Sequence, residues 1–432
     1  MTGEVPLLST AEAAARLGVK PSTLYAYVSR GLISRIRGAD GRASFFDADE
    51  LDLMAQQPRS PIAVSGTGLS IPFTVSEIRE QRLWYRGLDA CVMARTESFE
   101  AVAVWLWTEG RLALSFACPP EFLPPARAAA AALPPTVRLL DRLRAIVSAV
   151  GAVDPLRADL RPDAVHVTAA ALIGAMIEGL PGVGDRPDGA GVPGGAGVPG
   201  GAGVPGGAGV PGVGERADVG GSVAWRLWVA LTGREPEPGQ VAALETALGL
   251  LADHGVTAST VAARVAASAR AHPYAAVGAA LATLDGPVES GSSSLVHRTL
   301  VEAARDGSVA VVGRVLDQSN HLPGFGHPLY PDGDPRGRTL IDVLAADPPH
   351  KGRWEAVEQF MATGRRGRPL DPTVDFGLGA LTFTAGMPSD AGLAILAVAR
   401  CAGWVAHTLE EYTHELDRFR PSDPARRRTA RP

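Results

Sequence analysis

Five short segments place histidine, carboxylate or arginine side chains beside glycine or proline turn signals rather than on ordinary solvated helix faces. His254 lies at the start of a long small-residue helix in LADHGVTASTVAARVAAS. Glu289 sits in the turn LDGPVESGSSS, which leads into a serine-rich helix start whose free backbone N–H groups favour an anion. Glycines permit tight turns around His327 in LPGFGHPLYPDGDPRGR, and Arg336 follows a second turn. Asp375 precedes glycines in TVDFGLGA, and Arg400 in AVARCAGWVAH is joined by Arg420 in RFRP. Histidine and carboxylate side chains serve proton transfer, and guanidinium forks suit paired carboxylates through parallel charge-assisted hydrogen bonds. These residues are informative together, since a single histidine such as His254 more often caps a helix or sits satisfied in a core.

The elements that must bring them together are helices. From about residue 65 onward, Ala-, Leu- and Val-rich stretches recur at helical spacing, broken by Pro and Gly, and little sheet is expected. Residues 189–212 interrupt this pattern with four copies of GAGVPG, which lack the glycine-every-third rule of collagen. Residues 182–219 therefore read as a flexible inserted loop. The first 60 residues form a separate unit. Ser9 and Glu12 make a capping-box signature before AEAAARLG, a short helix ended by Gly18, and Pro21 opens a second helix closed by Gly31. Two short helices joined by a tight turn make a helix-turn-helix. RIRGADGRASFF then reads as a β-hairpin wing before the helical DADELDLMAQQ. Helix 21–30, with Thr23, Tyr25 and Arg30, is placed to enter a major groove, while Arg35 and Arg42 on the wing are placed to meet phosphates.

The chain has 432 residues, 46% of them hydrophobic, enough for two or three domains and a large core. A net charge of −5 excludes coating by nucleic acid along the whole length while permitting a local basic module. Cys91, Cys118 and Cys401 are odd in number and far apart, so neither a disulfide framework nor a metal cluster is indicated. No uninterrupted apolar run of membrane-spanning length and no signal-peptide layout is present, so a cytoplasmic protein without a membrane partner is expected.

LWYRGLD (83–89), SFEAVAVWLW (98–107), ADHGVTAST, PGFGHP, VDFGLG and ARCAGWVAHTLE, in this order, resemble the citrate synthase family. The first 60 residues resemble, less specifically, the DNA-binding part of MerR-type regulators and excisionase-like modules. The resemblance implies a mainly α, all-helical two-domain fold over 65–432, with a small domain at about 290–386, behind a winged helix-turn-helix at 1–60. It implies a homodimer closing over oxaloacetate and an acyl-CoA, with acetyl-CoA as substrate and no resident cofactor or metal. The activity implied is that of an acyltransferase whose acyl group becomes alkyl on transfer. By motif Asp375 is the base that removes a proton from the acetyl methyl group, His327 polarises the attacked ketone and His254 binds substrate. Arg336, Arg400 and Arg420 clamp the dicarboxylate, Arg420 from across the dimer.

One residue departs from the family pattern. Glu289 stands where the family has a histidine that hydrogen-bonds the thioester oxygen as it becomes an enol. An ionised glutamate opposes the enolate with like charge, whereas a protonated one donates the needed hydrogen bond. Two functions therefore compete: a citrate-synthase-like condensation weakened at Glu289, and a DNA-binding transcriptional regulator that senses a metabolite on a catalytically weak scaffold.

Overall fold

The computed structural model describes residues 7–17, 36–37, 44–48, 51, 63–64, 69–70, 73–110, 112–180, 221–286, 289, 292–319, 321–367, 371–414 and 419. Thr23, Tyr25, Arg30, Arg35, Arg42, Arg420 and the 182–219 insert lie outside them. The chain divides into two compact units, Met1–Thr74 and Val75–Pro432.

In the first unit, β1 (Leu7–Ser9) leads directly into α1 (Thr10–Leu17). The capping box forms as the sequence reading expects: the Ser9 backbone N–H and hydroxyl both donate to Glu12 Oε2, at 2.8 and 2.7 Å. β2 (Ile36–Arg37) and β3 (Ser44–Asp47) pair antiparallel, which is the expected hairpin. β1 adds to the other edge of β3, with Leu8 opposite Phe46. Phe46, Ala13 and Leu51 are fully buried, so this small sheet and α1 share a core. A further antiparallel pair joins β4 (Ala63–Val64) to β5 (Leu69–Ser70).

The second unit opens with a three-stranded antiparallel sheet, β6 (Ser76–Arg79), β7 (Arg82–Tyr85) and β8 (Leu88–Asp89), in a region read from sequence as almost wholly helical. Its strands are too short for a period-two pattern to stand out. The turns decide it: Glu80 and Gln81, then Arg86 and Gly87, all have positive φ, as tight two-residue hairpins require. Ser76, Leu83 and Tyr85 face the core.

Helices follow. They are α2 (Ala90–Thr96), α3 (Phe99–Thr108), α4 (Leu123–Ala131), α5 (Leu139–Val153), α6 (Pro162–Glu178), α7 (Val223–Thr232), α8 (Pro238–Leu251), α9 (Ala258–Ser268) and α10 (Pro273–Leu284). After them come α11 (Ser292–Asp306), α12 (Ser308–Ser319), α13 (Pro335–Ala346), α14 (Lys351–Gly367), α15 (Val374–Ala385) and α16 (Ala391–Tyr412). α16 is the central post, packed against α3, α5, α6, α8, α9 and α10. It is the one described helix long and apolar enough to cross a membrane, but 89% of its apolar window is buried inside the protein, as in a core helix. α11 to α15 pack mainly on one another, and α15 also meets α8 and α16. On α8, Ala243 and Ala247 are fully buried within the chain, whereas Ala242 is exposed.

Candidate active site

Asp375 enters the site on the first turn of α15, and one carboxylate two helices away holds that turn in place. Asp334 caps α13, accepting from the Arg336 backbone N–H at 3.0 Å, and also accepts from the Val374 N–H at 2.9 Å. The same carboxylate takes the Nε and Nη2 of Arg336, each at 3.0 Å. A two-helix junction this tight needs glycine at 337, where a Cβ would fall 2.4 Å from the Pro372 carbonyl oxygen. Burial opposes ionisation of Asp334, but the Arg336 charge and these hydrogen bonds outweigh it and hold the carboxyl below its usual range. The Arg336 fork is therefore partly occupied by the protein itself, and its guanidinium also lies 5.0 Å from the Tyr330 ring centroid. Asp375 responds in the opposite direction. Burial raises its pKa, nearby Arg336 pulls it down, Asp334 pushes it up, and the net shift is upward.

The two histidines meet over Tyr330. The rings of His254 and His327 are 5.6 Å apart edge to face, and His254 Nε2 lies 2.9 Å from the Tyr330 hydroxyl. His327 Nδ1 accepts from the Leu329 backbone N–H at 3.1 Å, which places the proton of the neutral ring on Nε2. Burial first, and the charge of Arg336 second, lower the pKa of both rings, and that of His254 far more. Two neutral imidazoles are thus set among arginines.

Arg400 projects from α16, where it is 7% exposed, and its Nη1 has no hydrogen-bond partner among the described residues. Burial pulls its pKa down, against the charge of Asp253. Behind it runs a polar chain, buried except at Glu410. Asp253 Oδ2 accepts from the Ser76 hydroxyl and from the Gly255 N–H at 2.9 Å, and its Oδ1 lies 3.4 Å from His407 Nε2. His407 Nδ1 is 3.0 Å from Arg264 Nη1, and Arg264 pairs with Glu410 at 2.7 Å and Glu411 at 3.0 Å. Gly403 allows this approach, since a Cβ there would lie 2.3 Å from Asp253 Oδ1. The chain fixes the end of α8, and so His254, against the helix that carries Arg400.

Glu289 is held elsewhere in the same region. Its Oε1 accepts from the Ser259 hydroxyl at 2.7 Å and the Ser259 N–H at 3.2 Å. Ser259 is the second residue of α9, whose N-cap Thr257 makes no side-chain capping bond, so Glu289 caps that helix from outside. Among the described residues no hydrogen bond joins it to Asp375, His254 or His327. Its charge reaches Arg400.

His254, His327, Arg336, Asp375 and Arg400, expected from the sequence, thus converge within electrostatic reach of one another. Asp334, Tyr330, Ser259 and the Asp253 chain were not foreseen. Asp334 had a signal, since Asp before Pro marks a capped helix start. The Asp253 chain had none, because its members are up to 335 residues apart.

Residues 68–422 match the family described as citrate synthase, C-terminal domain, which is most of the chain. The chain belongs to the citrate synthase family. Residues 7–59 match a helix-turn-helix domain. Citrate synthase 2 of Bacillus subtilis (strain 168) is 27% identical over 358 residues, 78% of this chain and 89% of that protein. 2-Methylcitrate synthase 2 of Corynebacterium glutamicum is 33% identical over 202 residues, 44% of this chain and 52% of that one. The fold superposes on the citrate synthase of Pyrobaculum aerophilum with a TM-score of 0.61 and 24% identity, covering 82% of this chain and 89% of that one. It also superposes on the ternary complex of carboxymethyl coenzyme A and oxaloacetate with the Thermoplasma acidophilum citrate synthase, with a TM-score of 0.60, 22% identity and 82% of this chain covered.

Proposed function

We propose that the protein condenses an acyl-CoA with an oxo-dicarboxylate, oxaloacetate being the first candidate, through a citrate-synthase-type reaction. The observation that carries this reading is the unpartnered, buried Arg400 Nη1 beside two neutral histidines and a carboxyl of raised pKa. Arg400 pairs with a substrate carboxylate, and the remaining Arg336 nitrogen assists. His327 Nε2–H donates to the ketone oxygen, where charge develops as the new carbon–carbon bond forms. Asp375 accepts the proton lost from the acyl α-carbon, and water then cleaves the thioester, releasing CoA. Glu289, engaged as an acceptor on α9, supplies no donor to the thioester oxygen, so turnover is slow. In this reading residues 290–386 close as a small domain. The working form is a cytoplasmic homodimer in which Arg420 reaches the other protomer's clamp, and light scattering tests that state.

Binding is testable apart from turnover. Oxaloacetate at a hundredfold excess over its Kd stabilises the folded state by about 2.7 kcal/mol by mass action and raises Tm. Arg400→Leu abolishes the rise. An unchanged wild-type Tm in millimolar oxaloacetate would overturn the clamp.

The helix-turn-helix match favours a second, compatible reading in which the N-terminal unit binds DNA. Replacing Arg30 and Arg42 together then weakens binding about equally for all sequences and flattens its salt dependence, as loss of phosphate contacts does. A gel-shift titration across salt concentrations checks this, and identical curves for both proteins would remove these arginines from the DNA surface.

A further inference from the structure

A single turn of chain touches both imidazoles of the candidate site. Residues 327–330 are closed by the Tyr330 N–H, which donates to the His327 carbonyl at 3.0 Å, and Pro328 at the second position favours that shape. From this turn the Leu329 N–H donates to His327 Nδ1 at 3.1 Å, and the Tyr330 hydroxyl lies 2.9 Å from His254 Nε2. The second contact has two possible directions. Were His254 to donate from Nε2, the Tyr330 hydroxyl proton would need another acceptor. Tyr330 is 1% exposed, and its hydroxyl has no other hydrogen-bond partner among the described residues. A buried proton without an acceptor is costly, so the hydroxyl donates to Nε2. It has a proton to give, because burial pushes its pKa up to about 12. The Arg336 guanidinium, 5.0 Å from the ring centroid, and the His327 ring, 4.9 Å away, lie against the ring that carries it.

A neutral imidazole holds one proton, and the bond made at one nitrogen decides which nitrogen keeps it. With Nε2 accepting, the proton of His254 sits on Nδ1, which makes no hydrogen bond among the described residues. His327 is the reverse, with Nδ1 accepting and Nε2 protonated. We propose that Tyr330 is a positioning residue for substrate binding: its hydroxyl fixes His254 with the proton on Nδ1, and that N–H donates to an oxygen of the dicarboxylate. This rests on the dicarboxylate clamp proposed above. A dicarboxylate carries no proton at neutral pH, so a bare Nδ1 would meet its oxygens lone pair to lone pair, where an N–H meets them with a hydrogen bond. The same turn thus presents one donor from each ring to a single ligand.

The test compares the full chain, as wild type and as Tyr330→Phe, which removes the hydroxyl and keeps the ring. Proton–nitrogen correlation spectra of isotopically labelled histidine, recorded without substrate, tell a protonated ring nitrogen from a bare one. His254→Asn and His327→Asn identify the signals of each ring. The wild type is expected to show His254 protonated on Nδ1 and His327 on Nε2. In Tyr330→Phe the His254 proton spreads over both nitrogens, while an unchanged His327 pattern reports an intact turn. Isothermal titration with oxaloacetate then shows affinity about tenfold weaker in Tyr330→Phe, as loss of a hydrogen bond to a charged group does. His254→Asn keeps a donor near the Nδ1 position and has no tautomer to set, so adding Tyr330→Phe to it brings no further loss. A tyrosine that served packing alone would weaken binding in both backgrounds and leave the His254 nitrogens as they were. That pattern, a wild-type His254 protonated on Nε2, or unchanged affinity in Tyr330→Phe would overturn the assignment. A wild type that binds no oxaloacetate overturns the clamp and the substrate half of this proposal with it, whereas the ligand-free spectra decide the Tyr330 contact on their own.

Discussion

Asp375→Asn is expected to lower CoA release by about 10²–10⁴-fold while leaving the oxaloacetate-induced rise in Tm intact. The amide fills the same space on the first turn of α15 but cannot accept the α-proton. Because burial raises the Asp375 pKa, the acid limb of the wild-type pH–rate profile should lie above the ordinary aspartate value of about 3.9, with activity growing as the base form appears. Stability carries the matching sign. A carboxyl whose folded pKa is raised contributes stability that is fully present below its unfolded pKa and is lost as pH rises through the folded value. The ionised wild type therefore bears a cost at neutral pH that Asp375→Asn does not, and the Tm of the variant relative to wild type should climb between acid and neutral pH. A fall in CoA release of less than tenfold, or a relative Tm that does not change with pH, would show that Asp375 is not the buried base.

Glu289→His should raise turnover by about 10²–10³-fold, the typical worth of one donor aimed at a developing oxyanion. The structure adds a cost absent from the sequence argument. Glu289 caps α9 through Ser259, so the variant loses two hydrogen bonds at a helix start and should lose about 0.5–2 kcal/mol of stability. Glu289→Gln separates the two effects: its amide oxygen still accepts from Ser259, so most of the cap survives, and the amide N–H₂ becomes a donor. A histidine variant that loses stability but gains no CoA release would place the limit on turnover elsewhere in the acyl-CoA site. One that loses no stability would show that the Ser259 contacts contribute nothing.

The placement of Asp375 illustrates what could be read in advance. Its glycine-rich context and its order after His327 and Arg336 marked it, and the structure puts it within electrostatic reach of Arg336 and Arg400. The Asp334 carboxylate that fastens its helix to the next one was legible only as a local cap, because its bond to the Val374 N–H spans 40 residues. Glu289 was legible as a departure from the family pattern, but its partner was not. A glutamate in a turn gives no hint that a helix start 30 residues earlier lacks its own cap. The strands at 76–89 were missed because their signal lies in four consecutive-pair positive φ values and not in hydrophobic alternation.

The sequence by itself determined the helical class, the separate N-terminal unit with its Ser9–Glu12 cap, and the identities of the convergent histidines, arginines and Asp375. These follow from periodicity, turn residues and motif order, all of which are local along the chain. Only the tertiary structure decided the charge state and freedom of those groups. Arg336 is half spent on Asp334, Arg400 keeps an unpartnered nitrogen, Asp375 is pushed toward its neutral form and Glu289 is turned to α9. Desolvation and pairing depend on what packs around a side chain, and those neighbours come from segments far apart in sequence.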